Sequence, residues 1–381
     1  MNKLLRIACV AVLVSSLAAP AGAQQKAAPE AARPRAEPQA TTVVNPDRTI
    51  TFRLKAPEAT SLVVQIQTPP KNTTVVLQKG ENGVWTGTTA TPLAPDIYFY
   101  YLVMDGLDIH DPAARYFKGQ GPKWGCILEI KGDRPGDYEF QPAIPHGAVT
   151  HEWIKSTVLG ETRGVNIYTP PSYLESSKTY PVLYLLHGIG GDEETWVKAA
   201  FIDRLLDSWI AKGIINELVV VITSNRVSRG AGTAVASPLN DYFAKDVMPQ
   251  VEKRYRVKTG RENTAVAGFS MGGGQTLSLA FGLPERFGAL ACLSGAIGRG
   301  GGSPADQYPL LRDPAKVNRL FPVFHVACGE NDGLVNAARK LHDELDQAGI
   351  KHTFTTGPGD HAMKTDWRML GAFLREFTRA R

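Results

Sequence analysis

Several features are scarce or missing in this sequence of 381 residues, and each absence excludes a class of protein. It has four cysteines, one of them inside the N-terminal apolar run, which excludes a disulfide framework. No Cys-x-x-Cys or His-x-x-x-His pair occurs, so no metal site is expected. The formal net charge of +5 comes without a basic cluster, which argues against nucleic acid as the main partner. Beyond residue 18, no apolar run is long enough to span a membrane.

Motifs for a cofactor are missing as well. The glycine-rich segment 298–302 lacks the Lys-Ser/Thr pair of a phosphate-binding loop, and we expect a flexible loop there that borders the functional site. No cofactor is therefore expected. Cys126, Cys292 and Cys328 remain after the N-terminal run. The last two lie in apolar runs typical of buried strands, which favours free thiols, with a single bridge between these two as the alternative.

The N-terminus has the features of a secretory signal peptide. Lys3 and Arg6 precede an apolar run at 7–18, and the small residues 21–23 form a cleavage site. The run is too short to span a bilayer, which favours a cleaved signal over an uncleaved anchor. We predict a signal peptide at 1–23 that is cut after Ala23, and hence a secreted or periplasmic protein.

Composition divides the rest of the chain into four parts. Residues 24–42 are rich in Ala, Pro and Gln, which predicts a disordered linker. Residues 43–131 contain short runs of alternating apolar and polar residues between turn residues, which predicts a small all-β sandwich. Proline and glycine mark a second linker at 132–146. The remaining part is 147–381.

The all-β part resembles the early-set, immunoglobulin-like modules that precede many glycan-active enzymes. The matching motifs are PheArgLeuLysAlaProGluAla, GlyValTrp, TyrPheTyrTyrLeuValMetAspGly and HisAspProAla. This resemblance implies a module that either binds glycan or only docks on the domain that follows it.

Residues 147–381 alternate solid apolar runs with helix-period segments. An opening hairpin (157–160 with 164–170) is followed by apolar runs at 181–186, 218–223, 264–268, 289–294 and 322–327, and by helical segments at 200–212, 241–255, 271–283, 334–348 and 365–379. Apolar runs without alternation are typical of strands that are covered on both faces. The alternation predicts an α/β fold with a mostly parallel sheet between helices.

The pentapeptide at 268–272 matches the pattern Gly-x-Ser-x-Gly, with Ser270 at its centre. A buried run precedes it and a helix rich in small residues follows. This strand, sharp turn and helix form the arrangement that lifts a nucleophilic serine above a sheet. We therefore predict that Ser270 is a nucleophile, with a plain glycine-rich turn as the alternative.

A nucleophilic serine needs a base, and the base needs an orienting acid. His361 lies in a loop after the last apolar strand, at the same sheet edge as Ser270, and is the candidate base. His352, which opens that strand, is the alternative. Asp332 follows the preceding strand and is the candidate acid, with Glu330 as the alternative.

The oxyanion of such a reaction needs two backbone donors. The predicted donors are the N–H of Met271, directly after the serine, and the N–H of Ile189 in the HisGlyIleGlyGly loop. His187 is expected to order this loop. Trp196 and Asn225 are predicted substrate contacts, with packing as the alternative role of Trp196.

Four longer segments resemble the esterase D superfamily, and within it the secreted carbohydrate esterases of family one. The segments are TyrProValLeuTyrLeuLeuHisGlyIleGlyGlyAspGluGluThrTrp, AspTyrPheAlaLysAspValMetProGlnValGluLysArgTyr, AlaGlyPheSerMetGlyGlyGly and AlaCysGlyGluAsnAsp. The resemblance covers nearly all of 147–381 and implies an α/β hydrolase fold. It implies that Ser270 is the nucleophile, Asp332 the acid and His361 the base. It also implies that the N–H groups of Ile189 and Met271 form the oxyanion hole. The family often has Gly-Gly-His where this chain has Gly-Asp-His at 359–361.

The resemblance implies a secreted serine esterase that acts on a plant polysaccharide or oligosaccharide ester, as a feruloyl esterase, through an acyl-enzyme on Ser270. An acetyl-xylan esterase, a siderophore esterase of the enterobactin-hydrolysing kind and a non-catalytic glycan-binding protein are the alternatives. The siderophore alternative would favour a strongly basic pocket, for which the sequence offers Arg226 and Arg229 nearby. The acyl group, the sugar and the oligomeric state stay open.

Overall fold

The structure, a computed structural model, describes residues 40–68, 71–120, 123–227, 237–297 and 303–379. The predicted signal peptide at 1–23, the predicted linker up to residue 39, Arg229 and the glycine-rich segment 298–302 lie outside these residues. Within the described part of the chain, no helix is both long and apolar enough to cross a membrane.

The first part of the described chain is entirely β-structure apart from one 3₁₀ turn. Its strands are β1 (Ala40–Val44), β2 (Ile50–Lys55), β3 (Leu62–Ile66), β4 (Thr73–Val76), β5 (Gln78–Lys79), β6 (Val84–Thr88), β7 (Asp96–Met104), β8 (Leu107–Ile109), β9 (Tyr116–Gln120) and β10 (Lys123–Ile130). β1 begins at Ala40, so the linker predicted to end at residue 42 extends into this strand.

Two antiparallel sheets pack face to face in this region. One has the strand order β1-β2-β6-β5, and the other has β4-β3-β7-β10-β9 with β8 paired to β7. Alternate residues of β2 and β3 are buried, as their period of two predicts. Phe52 and Trp85 of the first sheet share one core with Val64 and Tyr100 of the second. The predicted all-β region is confirmed, whereas its immunoglobulin-like character stays a prediction.

An eight-stranded sheet organises the rest of the chain. Its strands are β11 (Ala148–Ser156), β12 (Glu161–Thr169), β13 (Val182–Leu186), β14 (Val219–Thr223), β15 (Thr264–Phe269), β16 (Ala289–Leu293), β17 (Val323–Gly329) and β18 (Thr353–Gly357). The order is β11-β12-β14-β13-β15-β16-β17-β18, parallel from β14 onward. The opening hairpin is confirmed, but residues 157–160 form its turn, not a strand.

Helices cover both faces of this sheet. They are α1 (Thr195–Ala200), α2 (Ile202–Ala211), α3 (Ser237–Asp241), α4 (Met248–Arg254), α5 (Met271–Gly282), α6 (Pro304–Gln307), α7 (Pro314–Leu320), α8 (Val335–Gln347) and α9 (Met363–Arg379), with a π-helical segment (Tyr242–Val247) between α3 and α4. Every residue of β13 to β17 is buried, because α3 to α5 and α8 pack on one face and α1, α2 and α9 on the other. The predicted α/β fold is confirmed.

The β-sandwich packs against the α1–α2 side of the large sheet. Ile97 and Ile127 belong to the same apolar cluster as Leu183 and Phe201. The Arg204 guanidinium of α2 donates to Tyr116 Oη (2.9 Å) and to the Tyr138 carbonyl (3.3 Å), and lies 4.1 Å from the Phe201 ring centre. The two parts therefore share an apolar interior and polar contacts at its edge.

A buried carboxylate fixes the turn between β11 and β12. Asp246 is 2% exposed and accepts hydrogen bonds from Ser156 Oγ (2.6 Å), Thr157 Oγ1 (2.7 Å) and the Val158 N–H (3.1 Å). Burial alone would raise the pKa of this carboxyl, but the hydrogen bonds outweigh burial and lower its pKa below 3.8. The folded state therefore favours the ionised form.

We expect Asp246→Asn to lower the free energy of unfolding at pH 7 by about 2 kcal/mol, since hydrogen bonds to a charged acceptor are stronger than neutral ones. A carboxyl whose pKa is lower in the folded state stabilises that state above its unfolded pKa, and this stabilisation is lost as the pH falls through the folded pKa. Urea denaturation should show that the gap between wild type and variant closes below about pH 4. Asp241→Asn is the matched control, because this nearby carboxylate is half-exposed and pairs with the exposed Lys245 (3.0 Å). An equal gap at pH 3 and pH 7 would contradict this assignment.

Candidate active site

Ser270 lies at the turn between β15 and α5, at the carboxyl edge of the parallel strands. Its backbone has φ 59° and ψ −117°, a region that non-glycine residues rarely adopt. The turn is held because the Ser270 N–H donates to the Leu293 carbonyl (2.9 Å) and the Ala296 N–H donates to the Ser270 carbonyl (2.8 Å). Backbone hydrogen bonds to β16 and to the loop after it therefore hold Ser270 in this strained conformation.

The two glycines of the Gly-x-Ser-x-Gly pattern are required by close backbone contacts. A Cβ atom at Gly268 would lie 2.4 Å from the Gly272 carbonyl oxygen, and one at Gly272 would lie 2.7 Å from the His187 carbonyl oxygen. Neither contact is possible for a real side chain. Glycine is therefore needed at both positions because the backbones of the strand, the helix and the loop after β13 pack too closely for a Cβ atom.

His361 reaches Ser270 from the loop between β18 and α9. Its Nε2 lies 2.8 Å from Ser270 Oγ, and its ring centre lies 4.8 Å from that of Phe269. Its side chain is 39% exposed, so one side of the imidazole faces solvent. This arrangement lets the imidazole accept the serine proton.

Asp332 follows β17 and lies behind His361. Its Oδ2 is 2.8 Å from His361 Nδ1, while Oδ1 accepts the Leu334 N–H at 2.7 Å. Burial alone would raise the pKa of this carboxyl. Hydrogen bonds from His361, from Leu334 and from the Ser294 side chain outweigh burial and hold its pKa below 3.8. Asp332 is therefore an ionised acceptor that orients the His361 ring.

The alternative bases and acids lie elsewhere. His352, the alternative base, has its Nε2 2.8 Å from His342 Nδ1. Glu330 is exposed, and its backbone N–H donates to the Gly357 carbonyl. The structure therefore brings together Ser270, His361 and Asp332, whereas His352 bonds to another histidine and Glu330 is exposed.

The loop after β13 lies directly over Ser270. A Cβ atom at Gly188 would lie 3.2 Å from Ser270 Cβ. The Gly191 N–H donates to the Gly188 carbonyl (3.2 Å), and Gly190 has φ 76°, which indicates a type II turn with Ile189 exposed at its tip. Met271 is the first residue of α5, where a backbone N–H has no acceptor within the helix. Both predicted oxyanion donors thus belong to the segments that flank Ser270.

The predicted substrate contacts Trp196 and Asn225 require a correction. Both are fully buried. Trp196 Nε1 donates to the Leu186 carbonyl (2.9 Å), and Asn225 accepts the His187 N–H (3.0 Å) and donates to the His187 carbonyl (2.9 Å). Neither side chain is accessible to a substrate, and both instead fix the backbone where the loop after β13 begins.

His187 and Ser294 are two further buried residues beside the site, and the sequence gives almost no signal for the second. The His187 ring is buried, with Nδ1 2.7 Å from the Gly188 carbonyl and Nε2 accepting the Asn225 N–H at 3.2 Å. Ser294 is buried at φ 44° directly after β16, and its side chain bonds to Asp332. The only signal for this residue is its position after a buried strand at the edge that carries Ser270.

Cysteines and possible metal-binding groups are two further features of the described residues that bear on the chemistry of the site. Cys126, Cys292 and Cys328 are buried, and no disulfide joins any two of them. Among the residues that the structure describes, no group of three or more His, Cys, Asp or Glu side chains is arranged to hold a metal ion.

Comparison with known proteins gives a family match and similar structures. A family model described as "Putative esterase" matches residues 156–370. A protein of Xylanibacter ruminicola named endo-1,4-beta-xylanase/feruloyl esterase is 30% identical over 338 residues, which are 87% of this chain and 44% of that protein. The chain therefore spans less than half the length of this relative.

Two solved structures have the same fold over much of the chain. A ferulic acid esterase of Anaeromyces mucronatus is 24% identical with a TM-score of 0.55 and covers 65% of this chain and 97% of its own. The enterochelin esterase of Shigella flexneri is 18% identical with a TM-score of 0.65 and covers 90% of this chain and 96% of its own. The second likeness therefore includes much of the β-sandwich as well.

Proposed function

This chain belongs to the esterase family, and on that premise we propose that it hydrolyses carboxylic esters through an acyl-enzyme on Ser270. The observation that carries the proposal is the hydrogen-bond chain from Asp332 through His361 to Ser270, with 2.8 Å for each link. The strained turn at Ser270 and the glycine loop beside it support the same chemistry.

The reaction follows from the roles of these groups. His361 Nε2 takes the proton of Ser270 Oγ as this oxygen attacks the ester carbonyl carbon, while Asp332 stabilises the imidazolium. The N–H groups of Ile189 and Met271 donate to the oxyanion. The leaving alcohol receives the proton from His361, and the acyl group stays on Ser270. His361 then takes a proton from a water that attacks the acyl carbonyl carbon. It returns this proton to Ser270 Oγ as the bond between the acyl carbon and Oγ breaks, and the free acid leaves.

We propose that the substrate is a feruloyl ester on plant cell-wall polysaccharide. We also propose that the signal peptide is removed after Ala23 and that the protein acts outside the cell. The name of the Xylanibacter relative supports this choice, since that relative matches 87% of the chain. An acetyl group on xylan is the alternative acyl group. The three hydrogen-bonded side chains argue against a glycan-binding protein without activity.

A panel of esters tests this proposal with the purified protein. We expect kcat/KM for methyl ferulate to exceed that for an acetylated xylan by at least tenfold, with released acid as the readout and EDTA without effect. Faster release of acetate would assign an acetyl-xylan esterase. Hydrolysis of a catecholate trilactone alone would assign a siderophore esterase, and turnover of none of the three would refute the esterase proposal.

Inhibition by EDTA would reveal a metal requirement and contradict the metal-free mechanism.

A further inference from the structure

A polar cavity of about 390 Å³ opens beside the loop after β13. Its walls come from the β11–β12 turn, from the loop after β13 and from the residues that follow β14. The polar lining residues are Glu161, Arg163, Asp192, Ser224 and Arg226. A volume of this size is within the range of cavities that hold small molecules or single sugar rings.

The cavity lies one β-turn away from the nucleophile. Gly191 lines it, and the Gly191 N–H donates to the Gly188 carbonyl across the turn that has Ile189 at its tip. The Cα atoms at the ends of a β-turn are less than about 7 Å apart. Gly188 itself approaches Ser270 so closely that a Cβ atom there would lie 3.2 Å from Ser270 Cβ. A group in the cavity can therefore be linked covalently to a carbonyl held over Ser270.

The two arginines of the cavity differ in their contacts. Arg163 is held by neighbouring residues, whereas Arg226 can reach a ligand. Arg163 Nη1 pairs with Glu161 Oε1 (2.6 Å), and its Nη2 donates to Ser224 Oγ (2.8 Å) and to the Arg226 carbonyl (2.7 Å). Arg226 has an exposed side chain, and no hydrogen bond or ion pair with another described residue engages its guanidinium. Arg226 thus brings donors to the cavity wall, while Asp192 brings a carboxylate.

The balance of these groups identifies the chemistry of the ligand. Among the described lining residues, Glu161 and Asp192 offset the two arginines, so this lining carries no net positive charge to attract an anion such as a catecholate. Its polar walls are unsuited to an aromatic acyl group, which binds in apolar pockets. Donors and acceptors side by side match the hydroxyl groups of a neutral sugar.

Resting on the proposed esterase function, we propose that this cavity is the subsite for the sugar that carries the ester, with Arg226 as a specificity-determining residue. The sugar is the alcohol part of the substrate and leaves when the acyl group is transferred to Ser270. The cavity adds affinity for the glycan and leaves the bond-breaking chemistry unchanged.

A second large cavity provides the matched control. It has a volume of about 540 Å³ and lies on the other side of the site, lined by Asp96, by residues 355–360 next to His361, and by the exposed Arg368 of α9. Arg226→Ala and Arg368→Ala remove the same kind of exposed side chain from the two cavities.

The test compares methyl ferulate with a feruloylated arabinoxylo-oligosaccharide. Arg226→Ala should raise KM for the oligosaccharide ester roughly tenfold, the effect of losing one hydrogen bond from a charged donor, with KM and kcat for methyl ferulate unchanged. Arg368→Ala should change neither substrate. An unchanged oligosaccharide KM in Arg226→Ala, or a raised one in Arg368→Ala, would overturn the assignment of the sugar to this cavity.

A binding measurement separates this proposal from the esterase proposal. Calorimetric titration of the feruloylated oligosaccharide into Ser270→Ala, with and without Arg226→Ala, needs no turnover. A roughly tenfold weaker binding in the double variant supports the subsite even if the wild type fails to hydrolyse the ester. Equal binding by both variants refutes it while leaving esterase activity on methyl ferulate untouched.

Discussion

Replacing Ser270 by alanine is expected to reduce kcat for methyl ferulate by about 10⁶-fold, to the detection limit of most assays. Ser270 Oγ is the oxygen within hydrogen-bond distance of His361 Nε2, so its removal leaves the imidazole without a nucleophile to activate. The backbone donors beside it would still bind the carbonyl oxygen, which leaves only a small residual rate. Alanine keeps the Cβ atom and adds no strain at this positive φ.

Ser278→Ala is the matched control for this experiment. Ser278 lies on α5, the helix that follows Ser270. It is buried and bonds to Tyr308 Oη at 3.4 Å. It should keep wild-type kcat. An aryl phosphonate should label the wild type and the control, but not Ser270→Ala, with mass spectrometry as the readout. Retention of more than about a hundredth of the activity by Ser270→Ala would contradict the nucleophile assignment.

Replacing Asp332 by asparagine should lower kcat by roughly 10⁴-fold with a small change in KM. The carboxylate holds the proton of His361 on Nδ1, which leaves Nε2 as an acceptor for Ser270. An asparagine amide can turn its NH₂ toward Nδ1, and the ring proton then moves to Nε2, where it blocks deprotonation of the serine. The low pKa of Asp332 keeps the wild-type carboxylate ionised at neutral pH.

Glu330→Gln provides the control for the acid. Glu330 lies two residues earlier in the same loop and is exposed, so the variant should retain wild-type kcat. Equal losses in both variants would indicate damage to the loop. A normal rate in Asp332→Asn would assign the orienting role to another group.

The sequence predicts the fold well where the apolar pattern is strong. The runs at 264–268 and 289–294 correspond to β15 and β16, because strands covered on both faces need continuous apolar residues. Val158 and Leu159 make residues 157–160 resemble a strand in the sequence, whereas these residues form a turn that is fixed by Asp246, about ninety residues further along the chain. A contact of that kind has no local signal.

The sequence also predicts only part of the candidate site. Ser270, Asp332 and His361 follow from motif, chain order and strand ends, which are local features of the sequence. The burial of Trp196 and Asn225 does not, because a residue at the carboxyl edge of a strand can face either the cleft or the interior. The bond between Asp332 and Ser294 joins two loops, and only the three-dimensional structure reveals it.

The way Arg204 is held has a consequence for protein engineering. Its guanidinium contacts Tyr116 of the β-sandwich and the carbonyl of Tyr138 in the segment between the two parts, above the ring of Phe201. The Glu129 carboxylate of β10 also lies 3.5 Å from this guanidinium. A fragment that lacks the sandwich would expose the Phe201 ring and deprive the arginine of its partners Tyr116 and Glu129. A chimera with a foreign module would therefore have to supply acceptors in place of Tyr116 and Glu129 and a new apolar cover for Phe201.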